Sequence, residues 1–294
     1  MTDLDPTTIE LWVLRAAWLV LPFTTGRLLS DALDDTEQPF RSSVSIGLWI
    51  VWGVMLVALM VPRTETLTAL RIVGPAVAVA ALWAAFSGDS TSTVIALGWT
   101  TAVVVAFGAL RATVGDVFVD GSSYGDESRF LLRTPGTLLM GPLAVLWAVV
   151  VAGAVAGPLL LLAEWWILGG LLLVLGWPLT WFGSQAIHRL STRWLVFVPA
   201  GLVVHDKTAL REPQLFRMED IAAFGPAPVD ADVEDLTLNA PGLVLRIALT
   251  AESKIIKNTR DDEIELTDVT GMLVTPNRPG AVLEEATRRG VAIG

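Results

Sequence analysis

From Trp165 to His188 the chain makes its last apolar passage, and no later stretch has the length of a membrane helix. The passage opens Trp165-Trp166-Ile167-Leu168-Gly169-Gly170, closes around Trp181-Phe182-Gly183, and meets Arg189 and Arg193. About twenty apolar residues at 1.5 Å each cover the ~30 Å hydrocarbon core, with aromatic residues at both interfaces and arginine on the cytoplasmic side. It therefore predicts a helix leaving the bilayer into a soluble domain, dividing the chain into a membrane part, 1–187, and a cytoplasmic part, 188–294.

Composition agrees with that division. A chain of 294 residues that is 53% hydrophobic and 17% charged is too apolar for one soluble domain. Eleven of the twelve Trp precede residue 190, whereas twelve of the twenty Lys+Arg and sixteen of the thirty Asp+Glu follow residue 188. Both parts are net acidic, −6 and −4, which excludes nucleic acid as a partner because phosphate binding needs concentrated Lys and Arg. Without cysteine there is no disulfide framework and no Cys-based metal site or nucleophile. No cofactor, metal or catalytic residue is expected. The segment Met1–Pro6 has no basic residue ahead of the apolar run, and no small-residue cleavage site follows, so that run is expected to remain in the mature protein.

Six spans are expected, near 9–29, 44–61, 67–86, 94–110, 138–163 and 165–187, placing both termini on one side of the cell membrane. Arg63, Arg71, Arg111, Arg129, Arg133, Arg189 and Arg193 then fall on the cytoplasmic side, while the loops around Gly88–Thr93 and Glu164 hold no Lys or Arg. Arg27 and Arg41 dissent, in a loop shared with Asp31, Asp34, Asp35 and Glu37.

Arg15 and Arg71 lie inside the first and third spans. They either line a substrate path or sit near helix ends and snorkel to the headgroups, and their shallow depth favours snorkelling. No Asp, Glu or His falls mid-span, which argues against proton coupling. Gly74-Pro75, Gly141-Pro142, Gly157-Pro158 and Trp177-Pro178 could mark the broken helices of a transporter. Gly153 and Gly157, with Gly169, Gly176 and Gly183, place small residues on one face of each of the last two spans. Those spans are expected to pack together, inside one chain or across a homodimer.

The longest loop between spans, Arg111 to Gly136, holds the only Tyr, Tyr124, a mixed-charge cluster of Asp126, Glu127, Arg129 and Arg133, and the apolar run Phe130-Leu131-Leu132. Adjacent carboxylates among Gly and Ser, with no His nearby, read as a solvated turn rather than an acid/base pair. Tyr124, Arg129, Phe130 and Arg133 are thus candidate interaction residues. The loop is expected to rest on the tail, with Phe130 and Leu131 buried and the arginines facing Asp230, Asp232, Glu234 and Asp235.

After residue 188 the periodicity changes. Strands are expected at 193–198 and 201–204 around a Pro199-Ala200-Gly201 turn, near 214–223 and 236–238, at 243–249 where apolar residues alternate, and at 264–266 and 272–274. A final helix begins at Pro279, with acid-before-base pairs Glu284–Arg288 and Glu285–Arg289. On Gly201-Leu202-Val203-Val204-His205-Asp206, Phe216-Arg217-Met218-Glu219-Asp220-Ile221 and Leu273-Val274-Thr275-Pro276-Asn277, the tail resembles a bacterial PH-like domain. The whole chain resembles uncharacterised actinobacterial membrane proteins of the same two-part plan. The resemblance implies a β-rich PH-like barrel with a C-terminal helix, and no activity. Its basic lipid pocket is missing here, because the first turn carries no Lys or Arg.

The sequence thus predicts a membrane α-helical bundle followed by a PH-like interaction domain. The lipid bilayer and a protein partner, or self-association, are its expected partners, and the expected role is docking or scaffolding. A small-molecule or lipid transporter is the alternative. A reporter fused after Gly294 should read cytoplasmic and a tag at Ser90 should be reached from outside; periplasmic activity of the fusion would reverse the orientation.

Overall fold

The computed structural model describes residues 6–258 and 264–294. Two compact units emerge, one formed by Met1–Phe118 with Val145–Ile187 and the other by Val119–Ala144 with His188–Gly294. The second unit is therefore larger than the 188–294 tail, because it takes in a segment from between two membrane helices.

In the first unit, five helices are long and apolar enough to cross a membrane: α3 (Gln38–Met60), α4 (Thr64–Ser87), α5 (Ser92–Leu110), α8 (Pro142–Leu162) and α9 (Trp166–Leu190). The chain is a multi-pass membrane protein. Expected span 9–29 is not one helix; it is α1 (Pro6–Val20), a 3-10 turn Leu21–Phe23, and α2 (Thr25–Ala32). Pro22 is the cause, since it has no N–H for the Trp18 carbonyl and its ring crowds the preceding turn. Thr24 leaves the helical region altogether at φ −112°, ψ −80°. Among the described residues, uninterrupted helices long and apolar enough to cross a membrane thus number five, where six spans were expected.

The broken segment runs antiparallel along α5. Arg111 pairs with Glu10 at 2.6 Å, and Gly108 leaves room for Leu14. Farther along, the buried Thr25 hydroxyl donates to the Gly98 carbonyl at 2.8 Å, and Ser90 donates to Asp31 at 2.9 Å.

A membrane interior offers no water to a freed carbonyl, so neighbouring helices must supply donors. At the Pro22 break, Trp52 Nε1 of α3 donates to the Trp18 carbonyl at 2.9 Å, and Trp18 Nε1 returns a bond to the Trp52 carbonyl at 3.0 Å. Pro75, Pro158 and Pro178 lie inside continuous helices, so the breaks anticipated at those positions are not present; Pro142 instead begins α8. Three residues before Pro75, the Ile72 carbonyl accepts from Trp147 Nε1 of α8 at 3.0 Å.

Both arginines of the apolar segments have partners within the protein. The Arg15 guanidinium donates twice to the Leu59 carbonyl, at 3.2 and 3.0 Å, and lies 5.0 Å over Trp12. Leu59 is in the last turn of α3, whose carbonyls lack helical partners and carry the negative end of the dipole. Arg71 has as its charge partner Asp116 of α6 (Ala112–Asp120).

The five anticipated glycines form the seam between α8 and α9 of one chain. A Cβ on Gly153 would come 2.7 Å from the Gly176 carbonyl oxygen, and one on Gly176 would come 2.7 Å from that of Gly153. Gly157 faces Leu173, Gly169 faces Leu161, Gly183 faces Val150, and Thr180 Oγ1 donates to the Val150 carbonyl at 3.0 Å.

The second unit holds two sheets over one core, the first antiparallel and the second mixed. The first has the order β1 (Ser128–Leu131), β2 (Trp194–Val198), β3 (Gly201–His205), β4 (Gln214–Arg217). The second runs β5 (Ile221–Pro226), β7 (Leu245–Asn258), β8 (Ile264–Val274), β6 (Glu234–Asp235), with β6 parallel to β8. Alternation sends Leu195, Phe197, Leu202 and Val204 of one sheet and Ile247, Met272 and Val274 of the other into the core, where Val282 and Ala286 of α10 (Pro279–Arg288) meet them. The sheets do not close into a barrel. The expected strand 214–223 is split by a 3-10 turn at Met218–Asp220, the strands at 264–266 and 272–274 are one, and the strand expected at 236–238 lies at Glu234–Asp235. In α10, Glu285 takes both Arg288 and Arg289, in place of the pairing expected between Glu284 and Arg288.

Gly153→Ala or Gly176→Ala should lower the unfolding midpoint in detergent, through a loss of about 1–3 kcal/mol of stability, the cost of overpacking a close seam. Gly170→Ala, where a Cβ meets nothing within 4 Å, should leave it unchanged or raise it.

Candidate functional site

The segment between α5 and α8 enters the second unit as a strand. Phe130 pairs with Leu195 in register, its ring meets Phe197 edge-on at 5.9 Å, and Leu131 and Leu132 are buried. Contact between this loop and the tail was expected from Phe130; a hydrogen-bonded edge strand was not. Residues 188–294 alone would leave the β2 edge bare.

One ion pair holds the junction. Arg193 Nε and Nη2 donate to the two carboxylate oxygens of Asp206 at 2.9 and 2.7 Å, with side chains 2% and 0% exposed. Its Nη1 donates to the Arg133 carbonyl at 2.7 Å, and Asp206 also accepts from the Thr208 amide at 2.9 Å. Arg193 was expected on the cytoplasmic side, just past the last span; the fold makes it the buried clasp between β2, β3 and the end of β1. Hairpin register made this pair readable, since a two-residue turn at Pro199-Ala200 sets Trp194 opposite His205 and thus 193 beside 206.

The expected charge contacts with the acidic stretch are replaced by local ones. Arg129 pairs with Glu127 at 3.0 Å and lies 5.7 Å over Trp194, whose ring stacks on His205 at 4.8 Å. Glu234 pairs with Lys257 at 3.1 Å. The Arg133 guanidinium lies against Gly242.

Ahead of β1, residues 120–129 close on themselves. Asp120 Oδ1 accepts from the Arg129 amide at 2.9 Å and from Ser123 Oγ at 2.7 Å, Arg129 Nη1 donates to Ser122 Oγ at 3.0 Å, and the Tyr124 amide donates to Glu127 at 3.4 Å. Gly125 makes the turn at φ +66°. At the C-terminal end of α10, Arg289 Nη2 donates to the Asp126 carbonyl at 2.8 Å. Glu285 holds that arginine and Arg288, each at 2.6 Å. Hydrogen bonds from Arg288 above all, against the cost of burial and with help from Arg289 and Ser128, pull its carboxyl from 4.5 to about 2. At the tip of this tied loop Tyr124 is 87% exposed. The structure thus brings Tyr124, Arg129 and Phe130 into one short loop and strand, turns Phe130 inward, and leaves Tyr124 outward.

Among the described residues no group of three or more His, Cys, Asp or Glu could hold a metal ion. No protein-family model, curated protein or solved structure matches the chain.

Arg193→Met should cost about 3–5 kcal/mol in chemical denaturation, because it strands the Asp206 carboxylate, and Arg193→Met with Asp206→Leu should recover much of that loss. The Glu285 clamp has its own pH signature. A carboxyl held at about 2 contributes stability that is fully present above its unfolded value of 4.5 and is lost as pH falls between the two. The melting difference between wild type and Glu285→Gln should therefore be constant above pH 4.5 and shrink toward pH 2; a difference that persists unchanged at pH 2 would refute the clamp.

Proposed function

We propose that the protein is a membrane-anchored docking protein whose tied loop 120–129 presents Tyr124 to a protein partner on the cytoplasmic face of the cell membrane. The observation that carries this reading is an almost fully exposed aromatic ring on a loop whose own hydrogen bonds hold it in place. Tyr is enriched at binding hot spots, and a loop ordered before binding avoids the entropy cost of ordering on contact.

The second unit is read as a PH-like domain, which its two packed, largely antiparallel sheets and covering C-terminal helix support. The α1–α2 segment is read as a sixth, broken crossing. In support, its residues 10 to 31 follow α5 from Arg111 back to Ser90. With six crossings both termini share a side, and Arg63, Arg111 and Arg189 favour the cytoplasmic one. The dissenting Arg27 and Arg41 are paired with Asp31 and Asp34, each at 2.9 Å, which removes much of their weight. Transport is the weaker reading, because the carbonyl freed by Pro22 accepts a bond from Trp52, and Pro75, Pro158 and Pro178 lie inside continuous helices.

A photoreactive side chain placed at Tyr124 in the full-length protein should give one discrete protein adduct in cells. The same group at Val229, exposed on another loop, should not, and Asp120→Ala should abolish the adduct by releasing the loop. Absence of any adduct, with substrate-dependent flux in proteoliposomes, would overturn docking in favour of transport.

A further inference from the structure

We infer that Arg133 and Thr275 form a binding site for a phosphate oxyanion. The Arg133 amide donates to the Thr275 carbonyl at 2.8 Å, and their neighbours Leu132 and Pro276 form an antiparallel bridge. Residues opposite each other on paired backbone project their side chains to the same side. Leu132 belongs to the core, so alternation sends Arg133 and Thr275 to the other face. There Thr275 is 2% exposed, yet its Oγ1 has no hydrogen-bond partner, and Arg133 Nε is buried without one. Arg129, Arg193, Arg288 and Arg289 each have a carboxylate. The Arg133 guanidinium has no hydrogen bond or ion pair among the described residues.

Buried polar atoms without partners are costly, and more so when charged, so this arrangement calls for a third party. The available groups are a guanidinium fork and a hydroxyl, which are donors, around a net positive charge. A water molecule could fill one bond to each and would leave the charge uncompensated. An oxyanion answers both, and phosphate matches the planar fork in geometry. Gly242, at φ +127°, lets its backbone pack directly against the guanidinium, since a Cβ there would stand 2.8 Å from Nε. Two sources share this chemistry, a lipid headgroup and free phosphate. Position favours the lipid: Arg133 is nine residues ahead of Pro142, the first residue of α8, and Met140 between them is 90% exposed. The site is separate from Tyr124 and stands whether or not the docking reading holds.

The test uses full-length protein in a maltoside detergent, titrated with inorganic phosphate in one arm and short-chain phosphatidylglycerol in the other, and followed by thermal melting. Wild type should show a saturable rise in melting temperature. Arg133→Gln and Thr275→Val should each weaken the apparent affinity by about tenfold or more, the scale of one charge-assisted hydrogen bond. A response to the lipid alone identifies a headgroup site; a response to both identifies a general phosphate site. No saturable response in wild type to either ligand overturns the proposal, whatever the variants do. An unchanged affinity in either variant overturns the two-residue site.

Discussion

The second unit depends on a guanidinium and a carboxylate that meet away from water. Arg193 and Asp206 close the open end of the β2–β3 hairpin, and the remaining Arg193 nitrogen reaches the Arg133 carbonyl just past β1. Each charge would be expensive alone in such a place; together, with the Thr208 amide added, their bonding capacity is nearly filled. The consequence is geometric: a segment lying between two membrane helices in sequence becomes the first strand of a sheet whose other strands follow the last membrane helix. The chain passes between the two units three times, after residues 118, 144 and 187, so the second unit is held by three covalent links.

A different constraint governs the membrane unit. There the backbone must satisfy itself, and proline repeatedly prevents it from doing so. Tryptophan resolves the problem at Pro22, where the Trp52 indole N–H takes the place of the donor the helix has lost, and Trp147 adds a bond from α8 to the Ile72 carbonyl of α4. The glycines of α8 and α9 do the opposite work, removing side chains so that two backbones touch. Trp18, Trp52 and Trp147 thus serve as internal donors, while Trp165 and Trp166 stand exposed at the start of α9.

In the second unit, the loop tied at Asp120, Glu127 and Asp126 points the Tyr124 ring outward. The orphaned polar atoms at Arg133 and Thr275 add a second surface with a different chemistry, suited to an anion.

Apolar length and period alone determined the membrane helices, the α8–α9 glycine faces, most of the strands after residue 193 and the amphipathic α10, because those patterns are local and repeat. Phe130 was legible as a residue that touches something, for an apolar run in a polar loop has few other uses. Tertiary structure decided the rest. That Pro22 breaks a helix while Pro75, Pro158 and Pro178 do not depends on which neighbours pack against each turn, and proline itself carries no record of them. That Arg193 is buried and Arg189 exposed, four residues apart, depends on a carboxylate thirteen residues away across a hairpin. Charge counting treats the two alike; only the fold supplies one of them with Asp206.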